Sequence, residues 1–314
     1  MKNHKLVFRV IWIVSALLAA FNSFSAQAKE PLVVLYPEMR EPYRAIFDAI
    51  LDGIKDHSVG EVVTLALAKE VKLEDIQGWL AQRDPGVIVS LGNRGRQMAV
   101  QLREDYRVIT GATILSDDNV SQGLTGISLS PAPERLFQQL RKLAPNIEQI
   151  RVIYHPHTNS WLIKEARQAA EEAGLKLIAE PAESAKDAAP RYRDLLTSTT
   201  DGKDALWLLQ GDPTLDERGL LPLIMGQAWE KNLLVFSSNP SHVQRGALFS
   251  LFPDNLKLGQ RLAEKARQVA IGKDSGAETM RDLRIAVNIR TAEHLGLKIS
   301  RVDRRGFDLV FPQQ

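Results

Sequence analysis

The chain has 314 residues, 44% of them hydrophobic and 25% charged, which is the balance of a globular protein with packed cores and excludes disordered, collagenous and coiled-coil chains. It contains no cysteine, so disulfides, thiolate metal sites, cysteine nucleophiles and a lipoprotein anchor are excluded. Lys2, Lys5 and Arg9 fall in the first 28 residues, which hold no acid; the remainder carries 37 basic against 38 acidic side chains and gives no support to nucleic-acid binding.

The N-terminus reads as an export signal. Met1–Arg9 carries the three positive charges, Val10–Phe21 is an almost unbroken apolar run, and Ala26-Gln27-Ala28 supplies small residues two apart. The apolar run has 12 residues, whereas a membrane-spanning helix needs about 20. Cleavage after Ala28 is therefore predicted, giving a periplasmic chain of 286 residues. At roughly 150 residues per domain, that length suggests two domains.

Short Val-, Ile- and Leu-rich runs then recur with a regular pitch. The first set is Leu32–Tyr36, Val62–Ala68, Val87–Leu91 and Val108–Leu115; the second is Ile150–Tyr154, Leu175–Ala179, Ala205–Leu209 and Leu233–Ser237. Their starts lie 21 to 30 residues apart within each set. Helical patterns separate them. Pro42–Ile54 places Ile46, Ala49, Ile50 and Gly53 on one face; Asn159–Ala173 opens on Asn159-Ser160 as N-cap and closes before Gly174; Glu217–Lys231 has the same period. Strands alternating with helices at this pitch form βαβ units on parallel sheets, and runs apolar at consecutive positions are strands covered on both faces. The reading is α/β, with two hinged Rossmann-like lobes.

The first join between lobes is placed near Gly126–Pro133. Two further extended segments, Gly246–Phe252 before a helix at Asn255–Ile271 and Arg284–Ile289 before a helix at Thr291–His294, bring the crossings to three. Residues 29–127 plus about 252–280 are expected to form the N-terminal lobe, and 128–251 plus about 281–314 the C-terminal lobe.

In open α/β sheets ligands bind at the carboxyl ends of strands, where helix N-termini favour anions. The loops to inspect are therefore Tyr36–Glu41, Ser90–Arg96, Thr113–Asp118, Tyr154–Ser160, Gln210–Thr214 and Ser237–His242. In the second, Ser90, Gly92 and Asn93 let a backbone approach a ligand, and Arg94 or Arg96 could fork a carboxylate. Its glycine spacing matches no dinucleotide fingerprint or P-loop, so no cofactor is expected. In the fourth, Tyr154 or His155 could stack on a ligand, and Asn159 and Ser160 could donate to one. His155 and His157 stand two apart without an evident third metal ligand. Asp212 could meet a ligand ammonium or cap the next helix, and the hydroxyls of Ser237 and Ser238 suit polar contacts or turn chemistry. Trp161, Trp207 and Trp229 lie in periodic elements and are expected in the core. Neither a Gly-x-Ser-x-Gly elbow nor a His-Glu-x-x-His pair occurs, and no catalytic residue is assigned.

Several segments in order resemble the periplasmic substrate-binding proteins of ABC transporters, in the subfamily that includes tryptophan- and phenylalanine-type binders. These are Gly123-Leu124-Thr125-Gly126-Ile127-Ser128, Leu143-Ala144-Pro145-Asn146, Arg151–Ser160, Gly246-Ala247-Leu248, Leu258-Gly259-Gln260 and Ile271-Gly272-Lys273. The ending Val287-Asn288-Ile289-Arg290-Thr291-Ala292, with Leu295-Gly296-Leu297, is the closest match. The resemblance implies a type I periplasmic-binding-protein fold that closes over one small solute, often an amino acid, and then presents a surface to a membrane partner. This chain departs from the family pattern at Asn93, Arg94 and Arg96, at Ser116-Asp117-Asp118, and at His155 between Tyr154 and Pro156. Those departures fall in the cleft loops, so the ligand is not carried over.

Three functions follow from this reading. The first is a monomeric receptor that passes an amino acid or related organic acid to an inner-membrane ABC permease. The second is a sensory subunit of the same fold serving a membrane histidine kinase or cyclase. The third is a periplasmic α/β enzyme.

Overall fold

The computed structural model describes residues 30–200, 202–273 and 276–312; the predicted export segment and its cleavage site lie outside them. The strands, in chain order, are β1 Leu32–Pro37, β2 Val62–Leu67, β3 Val87–Leu91, β4 Val108–Thr113, β5 Gly126–Pro131, β6 Gln149–Tyr154, β7 Lys176–Pro181, β8 Asp204–Leu208, β9 Leu234–Ser237, β10 Phe249–Pro253, β11 Ala277–Met280, β12 Leu283–Asn288 and β13 Leu309–Phe311. The helices are α1 Tyr43–His57, α2 Leu73–Ala81, α3 Gly92–Leu102, α4 Asp117–Ser121, α5 Pro133–Leu143, α6 Pro156–Glu172, α7 Ala185–Thr197, α8 Leu220–Glu230, α9 Pro240–Gln244, α10 Asn255–Ala270, α11 Ile289–His294 and α12 Arg301–Arg305.

Two sheets result, one in each Rossmann-like lobe. The first has the order β11-β5-β4-β3-β1-β2 and the second β13-β12-β10-β9-β8-β6-β7. All pairings are parallel except β10 with β12. Alternation along β1 shows why its run is continuously apolar. Val33 and Leu35 pack under α2 and α3 with Leu80 and Leu102, whereas Val34 packs under α1 and α10 with Ile50 and Leu258. β3 and β8 are buried at every position for the same reason.

The predicted crossing segments correct the sequence reading. They do not lie outside the sheets: β5 is a strand of the first sheet, and β10 and β12 are strands of the second. The chain changes lobe just after β5, just after β10 and between β11 and β12. The three changes are tied to one another, Ala132 N–H donating to the Met280 carbonyl at 2.8 Å and Asp254 N–H to the Asp282 carbonyl at 3.0 Å. An ion pair from Arg281 to Glu134, 2.8 Å, closes the same region. The apolar pattern could not distinguish a crossing from a strand, because each crossing is only the one or two residues that follow a strand.

Three helix assignments also shift. α6 begins at Pro156, with His155 as N-cap, and not at Asn159. Proline at the first helical position has its φ preset and no N–H to satisfy. α8 begins at Leu220 and not at Glu217, because the Asp216 carboxylate accepts from Arg218 and Gly219 N–H in a turn ahead of it. On α1, Ile46 is exposed; the buried face is Ile50, Leu51, Gly53 and Ile54. Trp161 and Trp207 are buried as expected, but Trp229 is not. Among the described residues no helix is long and apolar enough to cross a membrane.

Candidate functional site

Loops at the carboxyl ends of the two sheets meet one another. Trp161 Nε1, on α6, donates to the Leu115 carbonyl after β4 at 3.0 Å. Gly211, after β8, approaches so near that a Cβ there would stand 3.1 Å from Ile114 Cδ1. His157 Nδ1 faces Asp118 Oδ1 of α4 at 3.8 Å. These contacts join the carboxyl-end loops of the two sheets, where the sequence places the cleft.

On the second-lobe wall, Asp212 is the organising residue. It is buried, and its Oδ2 accepts from His155 N–H at 3.0 Å and from Asn159 Nδ2 at 2.6 Å, while Oδ1 accepts from Thr214 N–H at 2.8 Å. One carboxylate therefore fixes the β8 loop to the β6 loop. Tyr154, His155 and Ser160 remain partly exposed beside it, whereas Asn159 is buried and committed to Asp212. His155 lies 3.8 Å from Glu183 after β7 and 3.2 Å from Thr158 Oγ1. The two histidines thus face different carboxylates. Among the described residues no group of three or more histidines and carboxylates is placed to hold a metal.

Ser237 and Ser238 are buried in the next loop. Ser237 Oγ lies 3.1 Å from the Leu208 carbonyl and 2.7 Å from His242 Nδ1, and it accepts from Asn239 N–H. Ser238 Oγ accepts from Trp207 Nε1 at 3.1 Å. His242, itself buried, points its Nε2 at Glu217 Oε1, 3.3 Å away. The hydroxyls therefore pin this loop to the core.

Burial pushes the His242 imidazole below its ordinary value, partly opposed by its bond to Glu217 and the charge of that carboxylate, with Arg245 adding to the depression. The native state thus resists a proton that the unfolded chain takes up near pH 6.5. The contribution to stability is present above about pH 6.5 and is lost as pH falls from there toward the depressed native value. His242→Gln removes this titration. Urea unfolding at pH 7.5 and 5.5 is expected to show a smaller acid-side loss in the variant than in the wild type; equal losses would exclude His242 as the source.

On the first-lobe wall, Ser90 is fully buried beneath α3, its Oγ lacking a partner among the described residues. Gly95 packs onto it so tightly that a Cβ would meet the Ser90 carbonyl carbon at 2.8 Å. Gly92 opens α3 at φ +72°, a conformation that favours glycine, with Pro37 and Phe47 within 3.5 Å of its missing Cβ. Asn93 is exposed, its Oδ1 accepting from Thr113 Oγ1 at 2.6 Å. Arg94 Nη1 donates to the Leu67 carbonyl at 2.5 Å, and Arg96 Nη1 to Asn119 Oδ1 at 3.3 Å. Arg94 thus ties α3 to the end of β2 and Arg96 ties α3 to α4, Arg94 retaining further N–H donors.

The predicted site residues thus fall into two sets. Asn93, Arg94, Tyr154, His155 and Ser160 have accessible surface; Ser90, Gly92, Asn159, Asp212, Ser237 and Ser238 are buried. Sequence reasoning assigned no residue in the loop after β1, yet Met39 in that loop and Tyr43 at the start of α1 are exposed, 38% and 58%. A large apolar residue at a helix start, outside the buried periodic face, was the available signal.

A family model described as ABC transporter substrate binding protein matches residues 37–302. Among solved structures, a substrate binding protein with adhesive properties from Clostridium difficile, in a ligand-free open form, is 16% identical; the alignment covers 91% of this chain and 100% of that one, with a TM-score of 0.63. An ABC domain from Streptococcus pneumoniae in complex with L-Trp is 18% identical over 90% of this chain and 99% of that one, TM-score 0.56. A conserved domain protein from Vibrio cholerae is 19% identical over 90% and 100%, TM-score 0.54. At these identities the likeness concerns the fold. No curated protein sequence matches the chain.

Proposed function

Since this chain belongs to the ABC transporter substrate binding protein family, we propose that it captures a small polar ligand, an amino acid or related organic acid, between its lobes and delivers it to an inner-membrane ABC permease. It works as a monomer in the periplasm, released from its export signal after Ala28, and it binds without chemical turnover. The observation that carries this reading is that the family match runs through both walls of the cleft and all three lobe crossings. The L-Trp complex of the Streptococcus pneumoniae domain supports a ligand of amino-acid size.

In this reading the accessible polar groups contact the ligand and the buried ones hold them in place. Arg94 and the start of α3 receive the ligand's carboxylate, aided by the backbone approach that Gly92 allows. Tyr154, His155 and Ser160 meet it from the other wall. Ser90, Asn159, Asp212, Ser237 and Ser238 keep those loops in register. Lobe closure about the tied crossings brings the two walls onto the ligand.

Mass spectrometry of small molecules released by denaturing the purified protein tests this directly. One stoichiometric amino acid or organic acid is expected. An empty protein whose unfolding temperature is also unmoved by a panel of such acids overturns the reading. Arg94→Ala is expected to weaken an anionic ligand about tenfold or more, the loss of one charged hydrogen-bonding partner. Unchanged affinity by calorimetry removes Arg94 from the site.

A further inference from the structure

Helix α8 is unusual for a surface helix. From Leu220 to Trp229 it carries no charged residue. Leu221, Ile224 and Ala228 face the core, yet Leu223 is 66% exposed and Trp229 38%. A helix that is apolar all round is normally buried all round. Beside α8 lies a groove of about 570 Å³, floored by Leu221, Met225, Leu233 and Val235. That volume falls within the range of small-molecule sites, about 300–1,000 Å³.

The groove has a charge as well as a floor. Arg245, Arg290 and His294 line it, and no Asp or Glu does. Arg245 is partly engaged, donating to the Glu217 carbonyl and lying 4.0 Å from the Glu217 carboxylate. Arg290 is exposed, holds no ion pair among the described residues, and stands with its guanidinium 5.4 Å from the Trp229 ring centroid. His294 stacks on the same ring at 3.6 Å and its Nε2 bonds to the Trp229 carbonyl at 2.9 Å, so the Trp229 wall is braced. The groove opens near the start of β9 and the end of β12. Because β12 runs antiparallel to β10, both points lie at the end of the second sheet away from the cleft.

We propose that this groove is a second ligand site, for a small amphipathic anion whose apolar body lies along α8 and whose carboxylate is held by Arg290. It does not rest on the reading of the cleft. Apolar contact supplies the affinity, and the cationic rim, free of carboxylates, supplies the sign of the headgroup.

The test uses octanoate as probe and octylammonium as its charge-reversed control, titrated by calorimetry into the full chain. Octanoate is expected to bind one to one and octylammonium not to bind. Gly226→Leu is the blocking variant: Gly226 lines the groove, nothing beyond its chain neighbours and its own helix backbone lies within 4 Å of its would-be Cβ, and leucine favours the helix. It is expected to abolish octanoate binding, and Arg290→Ala to weaken it about tenfold or more. Equal binding of the two probes, or octanoate binding that survives Gly226→Leu, overturns the proposal. So does a wild type that ignores octanoate but dimerises by light scattering while Gly226→Leu stays monomeric, which would make α8 a self-association face.

Discussion

Gly259→Ala is expected to cost about 3 kcal/mol or more of stability. Gly259 lies inside α10, where helix propensity alone favours alanine by roughly 1 kcal/mol, so the expected sign is opposite to that of an exposed helix. The reason is the crossing of α10 over α1. A Cβ on Gly259 would stand 2.1 Å from the Ile50 carbonyl oxygen and 3.0 Å from Gly53 Cα; one on Gly53 would stand 2.0 Å from the Leu256 carbonyl oxygen. Both obstacles are backbone, which no rotamer change can move aside. The helices must separate, and Leu258 and Leu262 on α10 are then drawn away from Val34, Ile50 and Val89 beneath them. The unfolding temperature is expected to drop by roughly 6–12 °C for a chain of this size. A variant as stable as the wild type in urea and heat would show that the helices do not meet this closely.

Asp212→Asn is expected to cost about 2–3 kcal/mol and to weaken the cleft ligand by an order of magnitude or more. The substitution keeps the shape and removes one acceptor. Oδ2 serves two donors, His155 N–H and Asn159 Nδ2, and Oδ1 serves a third, Thr214 N–H. An amide must turn its NH₂ toward one side, setting donor against donor in a buried place. Whichever way it turns, the β6 and β8 loops lose a tie, and Tyr154, His155 and Ser160 ride on the first of them. Wild-type unfolding temperature together with wild-type affinity in Asp212→Asn would refute this role.

The strands were legible in the sequence to within a residue or two. Val87–Leu91 and Ala205–Leu209 are apolar at successive positions because helices cover both faces, and the structure has β3 and β8 in those places. The turn after Asn159–Ala173 was legible too, because Gly174 takes φ +64° at the helix end. Two edge strands were not: β13 is three residues long and only partly buried, and β11 shifts register between Glu278 and Met280 as it pairs with β5. Too few side chains are buried there to leave a pattern.

For the site, the loops were readable and the roles were not. Strand ends followed by small, polar and proline residues mark the carboxyl edge of a parallel sheet wherever they occur. Whether a polar residue there faces a ligand or holds a neighbour depends on partners far away in the chain: Asp212 meets His155, Arg94 meets Leu67, Ser238 meets Trp207. Trp229 shows the same limit for apolar residues, since its helical period is that of a core position yet it stays 38% exposed under the stacked ring of His294.

Local rules of burial, periodicity and chain stiffness act over a few residues, so the sequence by itself determined the alternating elements, their order and the two-lobed α/β class. The contacts of the glycine pair on α1 and α10, the tied lobe crossings, the Asp212 bridge and the uncovered groove at α8 join residues distant in the chain. The tertiary structure alone decided these, because close packing and hydrogen-bond partnership depend on distance in space.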